Sequence, residues 1–210
     1  MTVSITPFWR KLLRPLLGLV MSLCVGAVLA GSIEPEQAQL VADEQGQALT
    51  ARFRILLGAR LEEAISRGVP LNFRLEFTLA KKRKYWVDEH IAGRVLHYRI
   101  SYHALTRRYR LTVDNLHQNF ESLEETLANL ARVARLHVVD KGQLQPGETY
   151  LAAVRLSLDH EQLPKPLQID ALADRDWRVE AKTQRWEFSP PPPSPLLKEG
   201  ETSGALRADK

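Results

Sequence analysis

The sequence predicts a mainly β protein, an antiparallel β-sandwich-like domain with two short helices. Three observations predict it. Apolar and polar residues alternate with a period of two over several separate stretches. Two segments switch instead to the spacing of an amphipathic helix. Strands and helices do not take turns in the way that builds a parallel sheet, so the strands are expected to pair mostly with their neighbours in sequence.

The stretch LNFRLEFTL gives the clearest strand, with Leu71, Phe73, Leu75, Phe77 and Leu79 on one side and Asn72, Arg74, Glu76 and Thr78 on the other. Before it, TARFRILL sets Phe53, Ile55 and Leu57 against Arg52 and Arg54, and a weaker candidate runs from Glu36 to Asp43. Later, YLAAVRLSLD sets Ala152, Val154, Leu156 and Leu158 against Ala153, Arg155 and Ser157. Near the end, DWRVEAKTQRWEF places Trp177 and Val179 opposite Arg178 and Glu180, then Trp186 with Phe188. With the hairpin described below, the count comes to about eight strands.

The helices announce themselves by their ends. ARLEEAISRG puts Leu61, Ala64 and Ile65 on one face and stops at Gly68, a residue that accepts the left-handed conformation. SLEETLANLARVA opens with Ser122 and Glu125 in capping-box spacing and stacks Leu123, Leu127, Leu130 and Ala134. It is expected to carry Arg132 and Arg135 toward its end.

Residues 97 to 113, HYRISYHALTRRYRLTV, read as a hairpin. Tyr98, Ile100 and Tyr102 share one face of its first strand, Tyr109, Leu111 and Val113 share one face of its second, and Ala104 to Arg107 make the turn. His97, Arg99, His103, Arg108 and Arg110 then fall together on the opposite face. Stacking of bases needs aromatics beside the cations, and here the tyrosines turn away from them. The expected pairing is with acidic residues across strands, such as Glu76.

Charge separates the chain into parts. Residues 1–30 hold Arg10, Lys11 and Arg14, no acidic residue, and the uncharged run from Pro15 to Ala30 ending in Val28-Leu29-Ala30. That is the pattern of a signal peptide or an N-terminal membrane anchor, and the run is short for a permanent span. Without this segment the 29 basic residues fall to 26 against 25 acidic, a net of +1, which removes the global electrostatic case for nucleic acid. Cys24, the single cysteine, also lies there, so the remainder has no disulfide, thiol nucleophile or thiolate metal site. At the other end PPPPSP is followed by a segment poor in apolar residues, and 190–210 reads as a proline-rich disordered tail. Residues 31–189 are left as one β-rich domain, exported, and either periplasmic or anchored to the inner membrane on the periplasmic side.

Chemistry-bearing motifs are sparse. Neither a G-x-S-x-G elbow nor a phosphate-binding glycine loop occurs. His97 and His103 share a face yet stand six residues apart, about 20 Å along a strand, beyond the reach of one ion. No catalytic, cofactor-binding or metal-ligating residue is assigned, and the protein is read as a non-enzyme. Candidate interaction residues are the basic face of Arg99, Arg108 and Arg110, and the loop Lys81, Lys82, Arg83 and Lys84 running into Tyr85 and Trp86. Cations next to aromatics suit an anionic membrane surface or an acidic partner. Pro164, Lys165 and Pro166 form the third candidate, because two prolines confine LPKPLQIDAL to an edge strand or an extended crossover.

The runs GVPLNFRLEF, RKYWVDE, RISYHALTRRYRL, FESLEETL, YLAAVRLSLD and LPKPLQIDAL, closing on W-x-F, resemble a proteobacterial family of exported proteins catalogued as a domain of unknown function. The resemblance covers roughly residues 33 to 188. It implies a signal-bearing envelope protein. Genes of that family often lie near a nitrogen-regulation-type sensor histidine kinase, so the resemblance implies a periplasmic partner for such a kinase. The function expected is a cell-envelope interaction or adaptor module that binds a protein partner. The alternative is a sandwich that binds a small molecule or lipid, and the two differ in what the core should contain: an enclosed apolar cavity for the ligand binder, a filled core with an exposed patch for the adaptor.

Overall fold

The alternating stretches fold as ten strands in a computed structural model, which describes residues 31–83, 88–165, 177 and 179–190. In chain order these are β1 (Gly31–Asp43), β2 (Gly46–Leu56), β3 (Leu71–Lys81), β4 (Glu89–His103), β5 (Arg108–Val113), β6 (Leu116–Phe120), β7 (Arg132–Asp140), β8 (Tyr150–Leu158), β9 (Val179–Ala181) and β10 (Thr183–Phe188). Helix α1 (Ala59–Ser66) joins β2 to β3, helix α2 (Leu123–Leu130) joins β6 to β7, and a 3-10 turn (His160–Gln162) follows β8. The segment 1–30, Lys84, Tyr85, Trp86, Pro166, Arg178 and the tail beyond Pro190 lie outside the described residues. Among the described residues no helix is long and apolar enough to cross a membrane.

Two sheets form, a four-stranded one in the order β7-β2-β1-β9 and a six-stranded one in the order β10-β8-β3-β4-β5-β6. The strand with the clearest alternation, β3, sits inside the larger sheet with Phe73 opposite Tyr98 on β4 and Leu158 on β8. One apolar cluster takes Ile33, Leu49, Phe53 and Val133 from the smaller sheet and Phe73, Leu75, Phe77, Val154 and Leu156 from the larger. The two inner faces therefore meet in a single core, and the fold is mainly β and sandwich-like. Among the described residues every pairing is antiparallel except one: β9 runs parallel to β1, with Gly31 opposite Val179.

That parallel pair separates Val179 from Trp186 and Phe188 within the last strand-like segment. The chain leaves the smaller sheet after Ala181 and enters the larger at Thr183. Lys182 makes the step, donating its N–H to the Ile33 carbonyl at 3.0 Å and its Nζ to Glu34 Oε1 at 2.6 Å. The ammonium holds the Glu34 carboxyl below its ordinary range, and the carboxylate raises Lys182 in turn. Trp177 precedes β9 in a 3-10 turn and packs against the core rather than standing in a strand.

The stop of α1 and the start of α2 follow local chemistry. In α1, Leu61, Ala64 and Ile65 are buried, and Gly68 at φ +90° closes the helix. The Gly68 and Val69 amides donate to the Ile65 and Ala64 carbonyls at 2.9 and 3.0 Å, the paired bonds of a Schellman motif. At α2 the Ser122 hydroxyl accepts from the Glu125 amide at 3.0 Å, while the Glu125 carboxylate accepts from Glu121 rather than from Ser122.

The second helix is shorter than the pattern predicts. It ends at Leu130, and Arg132, Ala134 and Arg135 belong to β7. Phe53 donates its amide to the Ala131 carbonyl at 2.9 Å, which ties the helix end to β2. Val133, Val138 and Val139 then bury themselves in the smaller sheet, a gain that one more helical turn would forfeit. Arg135 at φ +50° disrupts the strand locally, which hides the period of two from a reading of the sequence.

Candidate interaction surface

The hairpin folds as its residues predict. Tyr98, Ile100 and Leu111 are buried, and Tyr102 faces Tyr109 across the strands with ring centroids 4.9 Å apart. Burial pushes the Tyr98 hydroxyl up to about 12, with the Asp114 carboxylate adding to the shift. Burial likewise raises Tyr109, helped by Tyr102 and Glu62. A raised phenol stabilises the fold in full below its ordinary value of 10.0 and loses that contribution as the pH climbs toward 12. For Tyr98 the loss is on the order of 2–3 kcal/mol. Urea denaturation at about pH 9 and about pH 11.5 should therefore show a smaller drop in stability for Tyr98→Phe than for the wild type. Equal drops would mean that Tyr98 ionises without unfolding the hairpin.

The opposite face carries the cations. Arg99 on β4 stands opposite Asn72 of β3 and Thr112 of β5, and Arg110 stands opposite Ser101 of β4 and Asn119 of β6. Arg108 lies two residues from Arg110 and opposite His103. Diagonal and same-face neighbours of this kind sit about 7 Å apart at their backbones, so the three guanidinium groups share one patch. Their compensation is thin. Arg108 meets Glu121 at 4.0 Å with both side chains largely in solvent, Arg110 donates its Nε to the Asn119 amide oxygen at 3.2 Å, and Arg99 has no acidic partner among the described residues. Glu76 does not serve them: it pairs along its own strand with Arg74 at 3.1 Å.

Beside Arg99 the face dips into a cleft of about 300 Å³ bordered by Asn72, His97, Thr112, Asp114 and Gln162. A second cleft of about 540 Å³ lies on the smaller sheet, where β1 shifts register after Pro35 and where Thr50, Arg52 and Arg132 meet. The first is lined mostly by polar side chains, and the second mixes them with Ala38, Ala51, Val133 and Ala134. The core residues, by contrast, approach zero exposure, Phe73, Leu79 and Ala152 among them.

The loop after β3 has a different character from this patch. Lys81 is the last residue of β3 and pairs with Glu148 at 3.1 Å, Lys82 with Glu187 at 3.8 Å and Arg83 with Glu89 at 2.6 Å. Each described cation of that cluster thus has a carboxylate of its own. Of the proline segment, Leu163 is buried while Pro164 and Lys165 are exposed, and none of the three is in a strand. Among the described residues no three metal-ligating side chains come together.

A family model described as Domain of unknown function (DUF4390) matches residues 30–187. The chain belongs to this family. Neither the curated proteins nor the solved structures contain a match to it. The DUF4390 segment takes in both sheets, from β1 into β10, and with them the arginine patch. A pattern of this domain that alternation does not reveal is β6: LHQNF has three polar residues in a row between Leu116 and Phe120, and only Phe120 of its five residues is buried. The signal that betrays it is Asp114-Asn115, a two-residue turn dipeptide directly after β5.

Proposed function

We propose that the protein is a non-enzymatic cell-envelope interaction module that docks an acidic protein surface on the outer face of β4, β5 and β6. The observation that carries this reading is the patch of Arg99, Arg108 and Arg110, three guanidinium groups on one sheet face whose one ion pair among the described residues is that of Arg108 with Glu121 at 4.0 Å. Like charges this close cost folding stability, and a partner's carboxylates offset that cost on binding. Arginine suits the task because its planar fork grips carboxylates in pairs.

The cleft beside Arg99, lined mostly by polar side chains, supports an adaptor over a lipid or small-molecule binder, because such ligands are held mostly by apolar walls. A membrane surface is a poorer match for the Lys81–Arg83 cations, whose carboxylate partners would first have to be displaced. The signal-like pattern of residues 1–30 supports a module in the periplasm, free or anchored, and the family resemblance makes the periplasmic part of a sensor histidine kinase the expected partner.

The combined variant Arg99→Gln, Arg108→Gln, Arg110→Gln tests the reading. Its thermal stability should equal or slightly exceed that of the wild type, since exposed substitutions typically change stability by about 0.5 kcal/mol or less and the mutual repulsion is relieved. Its binding to the isolated ectodomain of the partner kinase should weaken by about 1000-fold, roughly tenfold for each of the three lost charge pairs at 1.4 kcal/mol per decade. Undiminished binding by the folded variant would remove the patch from the interface.

A further inference from the structure

The six-stranded sheet ends at β6, and we infer that this edge takes up an extended acidic segment of the partner as an added strand. This inference rests on the reading of the arginine patch above and specifies how the partner engages it. The four outer strands of the two sheets differ in how they are protected. Strand β7 is disrupted at Arg135, which also pairs with Asp43 at 3.0 Å; β9 has three residues; β10 runs into Pro190 and pairs Glu187 with Lys82. Lysine, proline, bulges and shortness are the usual means of blunting an edge. Strand β6 has none of the first three, and its only ladder partner among the described residues is β5.

Register identifies the groups on offer. Val113 and Leu116 close the two-residue turn, so the antiparallel ladder alternates from there and the backbone groups of Leu116, Gln118 and Phe120 turn toward β5. Those of His117 and Asn119 turn outward, and no backbone bond within the described residues takes them. Their side chains stand on the same face as Thr112 and Arg110, their opposite numbers on β5. A strand laid along this edge would set alternate side chains on the arginine side, one strand away from Arg110 and close to the end of Arg108. The other side chains would fall beside Leu116, an apolar residue left 74% exposed. The occupant is therefore an extended segment that alternates acidic with apolar residues. Main-chain bonds along the edge supply affinity and the arginines select charge, the division of labour in strand addition.

The probe is a fluorescent synthetic peptide alternating Glu with Val and Thr, beside a control with Gln in place of Glu, each titrated into the full-length chain by anisotropy. The Glu peptide should bind at least about tenfold more tightly than the Gln peptide, a preference that fades as salt rises from about 0.05 M to about 0.5 M. His117→Pro removes an outward amide without touching the β5 ladder, and it should weaken the Glu peptide by at least about tenfold. If His117→Pro lowers the melting temperature, Asn119→Pro replaces it as the test of the same edge. Loss of binding in the arginine variant with full binding in both proline variants would overturn strand addition and leave the charged docking face standing. A peptide that fails to bind the wild type overturns the inference as well, and the kinase-ectodomain assay then decides separately whether the face itself is used. A concentration-dependent dimer abolished by His117→Pro would overturn it in another way, by making a second copy of this chain the occupant.

Discussion

Phe77→Ala lowers the unfolding free energy by about 3–5 kcal/mol, the cost of emptying a ring-sized volume in a core that cannot collapse. Phe77 lies on β3 opposite Val154 of β8, 1% exposed, with the Trp186 ring 6.5 Å away at a tilt of 48°. Strand β3 is held on both sides by antiparallel ladders, to β4 and to β8, so its backbone cannot sink into the space left behind. The cavity term therefore adds in full to the lost burial. Urea denaturation gives the value directly, and Leu116→Ala on the exposed edge, expected to change stability by about 0.5 kcal/mol or less, is the comparison. Equal costs at the two positions would contradict the assignment of Phe77 to a closed inter-sheet core.

Gly46→Ala should cost about 2–5 kcal/mol, through backbone strain and overlap together. Gly46 closes the β1–β2 hairpin opposite Asp43, at φ +147°, where L residues are strained. A Cβ there would stand 2.0 Å from the Val139 carbonyl oxygen, a backbone atom of β7 that cannot rotate away. The hairpin or the β2–β7 ladder has to give. Gly142→Ala separates the two contributions, since Gly142 also has a positive φ, +89°, but nothing within 4 Å of an added Cβ. The Gly46 variant should lose more stability than the Gly142 variant, and the excess measures the clash. No excess would place Val139 elsewhere.

Much of this fold is legible in the residues. Alternation in β3 and β8, the Schellman glycine after α1 and the tyrosine hairpin all arise from local preference and burial acting in the same sense. The failures have physical causes. Arg132 and Arg135 read as the end of a helix because Leu123, Leu127 and Leu130 set a helical period that Ala134 continues; only the burial of Val133, Val138 and Val139, decided by the rest of the sheet, ends it at Leu130. Trp177 with Val179, then Trp186 with Phe188, read as apolar faces of the last strand-like segment, and the change of sheet at Lys182 between them depends on Ile33 and Glu34, far away in sequence. Of the candidate residues, Arg99, Arg108 and Arg110 come together as the hairpin pattern predicts. Lys81, Lys82 and Arg83 look equally cationic in sequence, and what separates them is the carboxylates of Glu148, Glu187 and Glu89 that the fold brings to each.

The most direct test of a partner on the arginine face is photo-crosslinking in the native envelope, with a photoreactive side chain at position 101, opposite Arg110, and separately at position 50 on the smaller sheet. The account predicts a crosslinked band at position 101 that contains the sensor-kinase ectodomain and disappears in the three-arginine variant, with no such band at position 50. A crosslink to lipid alone at position 101, or the same protein captured from both sheets, would contradict it.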